Sequence, residues 1–522
     1  MAITKQWCMT LSGLIILMGL NTALAEEFDW LGADIATLHA QLIAGEISAE
    51  AMTRAHLDRI EALDDQLKAV LAVNPDALDA ARALDKALAE GQAPGPLHGI
   101  PILIKDNIES ADQPTTAGSL VLARNQTGRD APLTARLRES GAVILGKTNL
   151  SQWANFRSSR SSSGWSSVGG QTRNPYDLSR SPCGSSSGSG AAVAAGFAVA
   201  AIGTETNGSI ICPASVNGNV GIKPTLGLVS RTGIVPISHN MDTAGPMARR
   251  LSDAVKVLAV MMGEDEQDAS TMERPPWSAE DLLTSLEQAS LEGRRIGVVG
   301  DVSGFHPEVG RLLDRALETM QSNGAEIIPD LDFDWHDDFR ADFLSVLLTD
   351  FQHDINQYLA DLPDEKLSRL NLSRLIAFNR QHVASEMRWF GQELFEQAAE
   401  QGERSDEEYL EALERIHTAT REEGIDRLLA EHELDALIAP SGGPAWTIDL
   451  VNGDHFTGGS STAAAVAGYP NISIPMGTVH GLPIGLSFFS TRYTEPTLIS
   501  IARAFERAVE PLDPPELKHD DP

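Results

Sequence analysis

The sequence predicts an α/β fold in which helices cover both faces of a large, mixed, mainly parallel sheet. Short apolar runs bounded by glycine or proline recur along the chain, and helical stretches separate most of them. Runs of this kind are typical of strands that are buried on both faces. The 522 residues are 42% hydrophobic and 22% charged, which is the composition of a chain with a large buried core. Together these observations indicate a buried sheet with helices packed against it.

The elements follow one another in blocks. Apolar residues at helical spacing over 34–90 predict an N-terminal helical layer, 26–91. Strands are predicted at residues 100–104, 143–145, 295–300, 325–328, 436–439 and 472–474, and helices over 191–202 and 251–262. We therefore expect one domain over 26–522, made of a core (92–263), a mostly helical insertion (264–433), a return to the core (434–510) and an acidic tail (511–522).

The first 25 residues have the pattern of a signal peptide. Lys5 gives a positive start, an apolar run covers 11–20, and small residues end at Ala25. The run is shorter than the roughly 20 residues that span a bilayer, and Cys8 lies too early to be a lipoprotein acylation site. The pattern predicts cleavage after Ala25 and a periplasmic or secreted protein. Export permits a disulfide between the remaining Cys183 and Cys212, but the sequence leaves their pairing open.

Charge and motif spacing exclude several classes of partner. A formal net charge of -33 argues against nucleic acid and anionic membrane surfaces. The histidines lack metal-ligand spacing. Residues 141–148 fit the phosphate-loop pattern GxxxxGK[ST], but the four variable residues form a predicted strand rather than a loop around phosphate. We expect neither a metal nor a cofactor.

Two serines and a lysine carry the chemistry. Ser185 and Ser209 lie on separate glycine-rich turns, and Lys105 ends an apolar run. A serine hydroxyl needs a base to take its proton. A lysine in an apolar site can lose its own proton because desolvation disfavours its charge, and neutral lysine is a competent base. The N–H groups just before Ser209 could hold an oxyanion. This pattern indicates a nucleophilic hydrolase that needs no histidine.

These motifs resemble the amidase signature family over residues from about 30 to about 510. The resemblance rests on Lys105, on Gly-Ser-Ser-x-Gly-Ser around Ser185, and on Gly-Ser-Ile-x-x-Pro around Ser209, with Gly-Ile-Lys-Pro-Thr behind them. The two serines are 24 positions apart, the spacing that the family uses. Gly-Asp-His-Phe at 453–456 and Gly-Tyr-Pro at 468–470 are most similar to its bacterial peptide amidase branch.

The resemblance implies the amidase-signature fold and a Ser-Ser-Lys relay that hydrolyses amides. Lys105 is then the terminal base, Ser185 is the proton relay on a cis peptide bond, and Ser209 is the acylated nucleophile. The oxyanion hole is expected from the backbone N–H groups of Thr206, Asn207, Gly208 and Ser209. The implied substrate is a peptide C-terminal amide or another small carboxamide. Candidate pocket residues are Trp446, Asp449, Asn452, His455 and Phe456, although Trp446 and Phe456 fit core positions equally well.

The chain departs from the common family pattern at the rim of the serine turns. Glu205, Asn207 and Ile211 stand where many members have Asp, Gly and Arg, so the Asp-to-Arg pairing that could brace the nucleophile turn is missing. Cys183 and Ser187 stand where many members have Gly.

Three alternatives remain from the sequence. The first is a periplasmic solute-binding protein without covalent chemistry. The second is an α/β-hydrolase-type esterase, because residues 184–188 also fit GxSxG and would make Ser186 the nucleophile. The third is the transamidosome subunit that resembles these amidases, which the predicted signal peptide disfavours.

Overall fold

The computed structural model describes residues 32–300 and 305–517, so the predicted signal peptide lies outside the described residues. Within these ranges eleven strands form one sheet and two short strands form a hairpin. The strands are β1 Val70–Val73, β2 Pro101–Lys105, β3 Val143–Thr148, β4 Trp165–Ser166, β5 Gly170–Gln171, β6 Ala200–Glu205, β7 Val220–Lys223, β8 Thr243–Ala248, β9 Arg295–Val299, β10 Glu326–Leu331, β11 Ala436–Pro440, β12 Asn471–Val479 and β13 Leu482–Phe489.

The large sheet has the order β1-β3-β2-β6-β8-β7-β12-β13-β11-β9-β10. Parallel pairs join β3, β2 and β6 near one edge and β11, β9 and β10 at the other. The remaining neighbours pair antiparallel. Strands β2, β3 and β6 are buried along their whole length, as expected for short apolar runs inside an α/β fold. The predicted α/β class, with a large mixed sheet and helices packed against it, is confirmed.

The helices fall before, between and after the strands. They are α1 Ile35–Ala44, α2 Ala49–Leu67, α3 Ala77–Ala89, α4 Pro132–Glu139, α5 Ser187–Ala194, α6 Ile211–Val216, α7 Leu251–Met261, α8 Ala279–Glu287, α9 Pro307–Ser322, α10 Phe339–Ala360, α11 Leu372–Gln381, α12 Val383–Glu386, α13 Glu393–Ala398, α14 Glu407–Thr420, α15 Asp426–Glu431, α16 Ser461–Ala467 and α17 Glu495–Ala508. In the described residues no helix is both long and apolar enough to cross a membrane.

One predicted helix is wrong in its second half. The sequence predicts a helix over 191–202, but α5 ends at Ala194 and β6 begins at Ala200. Gly196 has a φ of 71°, a left-handed conformation that ends helices. Ala200 and Ala201 then pair with β2, so tertiary pairing decides a run of alanines that would fit a helix equally well. The predicted helix at 251–262 is confirmed as α7.

The region 264–433 contributes both helices and sheet. Its strands β9 and β10 extend the main sheet, while α10, α13 and α14 form a second apolar cluster of their own. This cluster also includes Trp153 and Phe156 from the core, and Phe156 lines the cleft that leads to Ser209. The region therefore packs against the part of the core that holds the candidate catalytic residues.

Candidate active site

The candidate catalytic residues lie at one edge of the sheet. Strands β2 and β6 are parallel neighbours, with Ile104 opposite Ile202, so their carboxyl ends meet at the same edge. Lys105 is the last residue of β2, and Glu205 is the last residue of β6. The turn that carries Ser209 follows β6 directly. This edge brings together residues that lie about 100 positions apart in sequence.

Lys105 is fully buried among hydroxyl and carbonyl oxygens. Its Nζ lies 2.7 Å from Ser185 Oγ, 2.8 Å from Thr204 Oγ1 and 3.3 Å from the Thr204 carbonyl oxygen. Among the described residues no carboxylate forms an ion pair with it. Burial lowers the pKa of Lys105 to about 7, although Asp242 and Glu205 act in the opposite direction. Lys105 is therefore neutral in a large share of molecules near pH 7.

Ser185 follows a cis peptide bond, as the family resemblance implies. The preceding Gly184 has no room for a side chain, since a Cβ there would lie 2.2 Å from Ser151 Oγ. The next residue, Ser186, donates its backbone N–H to the Ser209 carbonyl at 3.2 Å, which links the two serine turns. Its hydroxyl donates to the Thr204 carbonyl and accepts from the Thr204 N–H. That buried hydroxyl holds the end of β6 and does not line the cleft described below, which argues against Ser186 as a nucleophile.

Glu205 braces the turn that carries Ser209. Its Oε2 accepts hydrogen bonds from the N–H groups of Ile210 (2.8 Å) and Ile211 (3.0 Å). Gly208 has a φ of 81°, which turns the chain sharply before Ser209. The sequence shows that the common Asp-to-Arg pairing is missing, and the carboxylate of Glu205 supplies a different brace.

The oxyanion-hole candidates are held from outside the turn. Asn207 contacts α16, accepting a hydrogen bond from Ser461 Oγ (2.7 Å) and donating to Thr462 Oγ1 (3.1 Å). Thr206 donates its hydroxyl hydrogen to Asp242 at 2.6 Å. The backbone N–H groups of Thr206, Asn207, Gly208 and Ser209 donate to no partner within the described part of the chain. Four fixed N–H groups beside a serine form an arrangement that can stabilise an oxyanion.

Cys183 and Cys212 form a disulfide, which answers a question that the sequence leaves open. Their Cα atoms are 6.0 Å apart. One cysteine precedes the Ser185 turn and the other follows the Ser209 turn, so the bond ties the two turns together. Both cysteines pack in a small apolar cluster with Trp446.

A cleft of about 820 Å³ leads to Ser209. The oxyanion-hole residues and the disulfide line it, whereas Lys105 and Ser185 lie deeper in the protein. Of the five predicted pocket residues, Trp446, Asn452 and Phe456 line the cleft. Trp446 is 7% exposed and Phe456 is 53% exposed, so Trp446 is also a core residue and Phe456 is not.

The other two predicted pocket residues, Asp449 and His455, do not line the cleft. Asp449 instead accepts hydrogen bonds from the N–H groups of Val451 and Asn452, which shapes the turn before the pocket segment. His455 is exposed. Their segment turns at Asp449 and presents only some of its side chains to the cleft, so the prediction that these two residues bind substrate gains no support from the cleft lining.

Sequence reasoning missed an aromatic wall of the cleft. Trp335, Phe339 and Phe343 line it with nearly parallel rings, and their successive centroids are 4.4 Å and 6.4 Å apart. The one signal in the sequence is the spacing of Phe339 and Phe343, which are four residues apart and share a face of α10, whereas Trp335 lies in the loop before that helix. Nothing in that spacing shows which face meets the serine turns.

Sequence reasoning also missed Asp454, although it lies in the Gly-Asp-His-Phe segment. Asp454 lines the cleft and accepts hydrogen bonds from the Ser163 N–H and from Trp446 Nε1 at 3.0 Å. Burial raises the pKa of Asp454. The carboxylate therefore both orients Trp446 and presents acceptor oxygens beside the cleft.

One group of possible metal ligands occurs in the described residues, formed by His239, Asp350 and Asp354. Arg404 contacts both carboxylates, with its Nη2 2.5 Å from Asp354 and its Nε 3.7 Å from Asp350. The guanidinium supplies the positive charge that this acidic pair requires. The group therefore forms part of an ion-pair network.

Comparison with known proteins identifies the family. The family model described as "Amidase" matches residues 51–499. The native peptide amidase structure from Stenotrophomonas maltophilia is 45% identical, with a TM-score of 0.89 over 94% of this chain and 99% of that one. A structure of a peptide amidase with the competitive inhibitor chymostatin is 45% identical, with a TM-score of 0.91 over 94% and 100% of the two chains.

A relative that is named for a different activity is also similar over most of the chain. A glutamyl-tRNA(Gln) amidotransferase protein of Salinispora arenicola is 34% identical over 537 residues, which cover 94% of this chain and all of that protein. The fold, the matched family model and the peptide amidase structures agree with one another. This chain belongs to the amidase signature family and is a hydrolase of carbon–nitrogen bonds in amides.

Proposed function

We propose that the protein hydrolyses peptide C-terminal amides through an acyl-enzyme on Ser209. Ser209 Oγ attacks the amide carbon, and its proton passes through Ser185 to neutral Lys105. The carbon–nitrogen bond then breaks, the same proton returns through Ser185 to the nitrogen, and ammonia leaves. Water attacks the ester carbon, its proton reaches Ser209 Oγ as the ester bond breaks, and the carboxylic acid departs.

The contact between Lys105 Nζ and Ser185 Oγ is the observation that carries this mechanism. At 2.7 Å, and with a pKa of about 7 for the lysine, Nζ is able to accept the serine proton. The oxygens of Thr204 occupy the remaining positions around Nζ, so the lone pair of the neutral amine is left for Ser185. The free N–H groups around Ser209 support the oxyanion step.

The substrate class is supported by the size and lining of the cleft. A volume of about 820 Å³ lies within the roughly 300–1,000 Å³ range of ligand pockets and exceeds the needs of a simple aliphatic amide. The aromatic wall of Trp335, Phe339 and Phe343 offers apolar contact, and Asp454 offers hydrogen-bond acceptors for peptide N–H groups. The 45% identity to peptide amidases points to the same class.

Ammonia release from a panel of aliphatic, aromatic and peptide amides tests this function. We expect the peptide amides to give the highest kcat/KM, and we expect Ser209→Ala and Lys105→Ala to remove the activity, with a fall of about 10,000-fold or more for Ser209→Ala. Circular dichroism of both variants checks that the fold is kept. Wild-type rates in Ser209→Ala would contradict the proposed acyl-enzyme.

We also propose that the protein is exported and cleaved after Ala25. The signal-peptide pattern of the first 25 residues supports this, and so does the disulfide between Cys183 and Cys212, since cytosolic proteins are kept reduced. Expression of the full chain in a bacterial host, followed by mass measurement of the periplasmic fraction, should give a protein that begins at Glu26. An uncleaved chain found only in the cytoplasm would contradict the proposal.

A further inference from the structure

The buried carboxylate of Asp242 lies beside residues 206–209, the turn of the candidate oxyanion hole, which we call the oxyanion turn. Asp242 comes directly before β8, and the first residue of that strand, Thr243, pairs with Glu205 at the end of β6. Asp242 therefore lies opposite Thr206, the first residue of the oxyanion turn. Thr206 lines the cleft, whereas Asp242 does not. The carboxylate is thus placed to act on the turn without contacting the substrate.

The carboxylate of Asp242 accepts three hydrogen bonds. Its Oδ1 accepts from the Thr206 hydroxyl at 2.6 Å, and its Oδ2 accepts from the N–H groups of Ile237 at 2.7 Å and Ser238 at 2.9 Å. Hydrogen bonds of this kind favour the charged form of a carboxyl group. Burial raises the pKa of Asp242 to about 6, while the hydrogen bonds act in the opposite direction. Asp242 is therefore mostly ionised above pH 7.

Helix α10 anchors the loop that holds Asp242. Ser238 donates its hydroxyl hydrogen to Asp350 at 2.5 Å, and His239 donates its backbone N–H to Asp354 at 2.8 Å. Both of these acceptor residues belong to α10. Packing from outside the oxyanion turn therefore sets the position of Asp242, and the bond to Thr206 holds the turn from a fixed point.

The charge of Asp242 also acts on the base. In the proposed mechanism Lys105 takes a proton through Ser185, so a buried ammonium forms while the oxyanion exists. Two carboxylates favour this ammonium, and Asp242 has a stronger effect than Glu205. A buried charge costs free energy unless an opposite charge compensates it. A negative Asp242 therefore lowers the cost of protonating Lys105.

The other charged groups that face Asp242 have partners of their own. Arg231, in the loop before β8, pairs with Asp268. Asp354, on α10, pairs with Arg404 and His239. Lys105 forms no ion pair with a described residue, so it is the group on which the charge of Asp242 is not already offset.

We propose that Asp242 is a positioning residue of the reaction, which holds the oxyanion turn through Thr206 and favours the protonated Lys105 through its negative charge. This inference rests on the proposed function, because it requires the acyl-enzyme mechanism on Ser209. Asp242 acts through these two residues and not on the substrate. Both effects stabilise the tetrahedral intermediate, one at the oxyanion and one at the ammonium, and neither changes the cleft in which the substrate binds.

Asp242→Asn tests the effect of the charge. An asparagine oxygen can accept from the N–H groups of Ile237 and Ser238, and its amide N–H can donate to Thr206, so the variant removes the charge and keeps the three contacts. On the best peptide amide of the panel we expect kcat to fall by about 10- to 100-fold while KM is unchanged. The midpoint of the acid limb of the kcat profile, recorded from pH 5 to 9, should also move to lower pH, because Lys105 loses the neighbour that favours its charge.

Thr206→Val tests the hold on the oxyanion turn separately. It removes the hydroxyl that Asp242 accepts from and keeps the carboxylate. At pH 9, where Asp242 stays ionised, kcat should fall by about 10- to 100-fold. Thr206→Ser keeps the hydroxyl and should restore kcat to near the wild-type value. Equal losses in the valine and serine variants would contradict a role for the hydrogen bond.

Asp253→Asn is the matched control. Asp253 lies on α7, is 3% exposed, accepts from the Ile35 N–H at 3.0 Å and does not line the cleft. Burial raises its pKa to about 6, as it does for Asp242. Asp253→Asn should keep the wild-type kcat and the wild-type midpoint. His239→Gln should keep the midpoint as well, which shows that His239 does not produce the acid limb.

The same measurements can overturn the proposal. A wild-type kcat in Asp242→Asn would do so, and so would an unmoved midpoint or an equal loss in Asp253→Asn, since a purely structural role lowers activity without moving the midpoint. Thermal unfolding checks each variant, and if Asp242→Asn does not fold, a wild-type kcat in Thr206→Val overturns the proposal instead. Retained hydrolysis by Ser209→Ala would contradict the proposed function itself, whereas the Asp242 results leave the acyl-enzyme on Ser209 untouched.

Discussion

Two buried lysines on neighbouring strands have opposite surroundings. Lys105 on β2 and Lys147 on β3 are both fully buried. Lys147 Nζ lies 3.3 Å from Asp106 Oδ1, whereas Lys105 contacts only the oxygens of Ser185 and Thr204. Burial lowers the pKa of each lysine. Burial alone therefore does not make a lysine a base: the carboxylate of Asp106 favours the charged form of Lys147, and no carboxylate touches Lys105 in the described part of the chain.

Lys105→Met should have the largest effect on activity. The variant keeps an apolar stem of similar length and removes the base, so we expect kcat/KM to fall by about 100- to 10,000-fold while the thermal unfolding midpoint changes little. Lys105→Arg is the control for charge, since arginine stays protonated. A Lys105→Arg variant with near wild-type turnover would show that the lysine acts through its charge. That result would contradict the contrast between a neutral Lys105 and a charged Lys147.

Lys147→Met should have the opposite effect. It leaves the Asp106 carboxylate buried without its ion-pair partner, which costs about 3–5 kcal/mol of the free energy of unfolding. Urea unfolding measures that loss, and the folded fraction should retain turnover within a few-fold of wild type. A strong loss of turnover in a stably folded Lys147→Met protein would contradict a purely structural role for this lysine.

Thr204→Val should have the smallest effect of the three substitutions, and it tests how much one hydroxyl neighbour contributes to the function of Lys105. The Thr204 hydroxyl stands beside Lys105 where Asp106 stands beside Lys147, and it also accepts from Asn107. Removing one hydrogen bond to Nζ should lower kcat by about 2- to 10-fold, because the lone pair of the amine is less well oriented. Thr204→Ser keeps the hydroxyl and should restore the rate, whereas equal losses in both variants would indicate a packing effect instead.

The candidate catalytic residues can be located in the sequence because short motifs carry them. Ser185 and Ser209 lie on turns with recognisable glycines, Lys105 ends the apolar run of β2, and the structure brings Lys105 and Ser185 within hydrogen-bond distance. The apolar runs likewise predict the buried strands β2 and β3. A short sequence pattern predicts these features correctly because residues close together in the sequence determine them.

The lining of the cleft and the bracing of the Ser209 turn depend on tertiary packing, which no short sequence pattern encodes. The aromatic wall comes from α10 and the loop before it, more than 100 residues after Ser209, and the brace by Glu205 depends on how the turn folds back on β6. Asp449 and His455 lie close in sequence to Trp446, yet that proximity does not make them part of the cleft lining. The boundary between α5 and β6 was likewise decided by pairing with β2.

The most direct measurement is the pH dependence of covalent labelling by a serine-directed peptide phosphonate. The labelled residue is identified by peptide mass mapping, and the labelling rate is recorded from pH 5 to 9. The account predicts a single adduct on Ser209, formed at a rate that rises as Lys105 loses its proton near pH 7 and that becomes slow and flat in Lys105→Met. A label on Ser185 or Ser186, or a wild-type rate that does not change with pH, would contradict it.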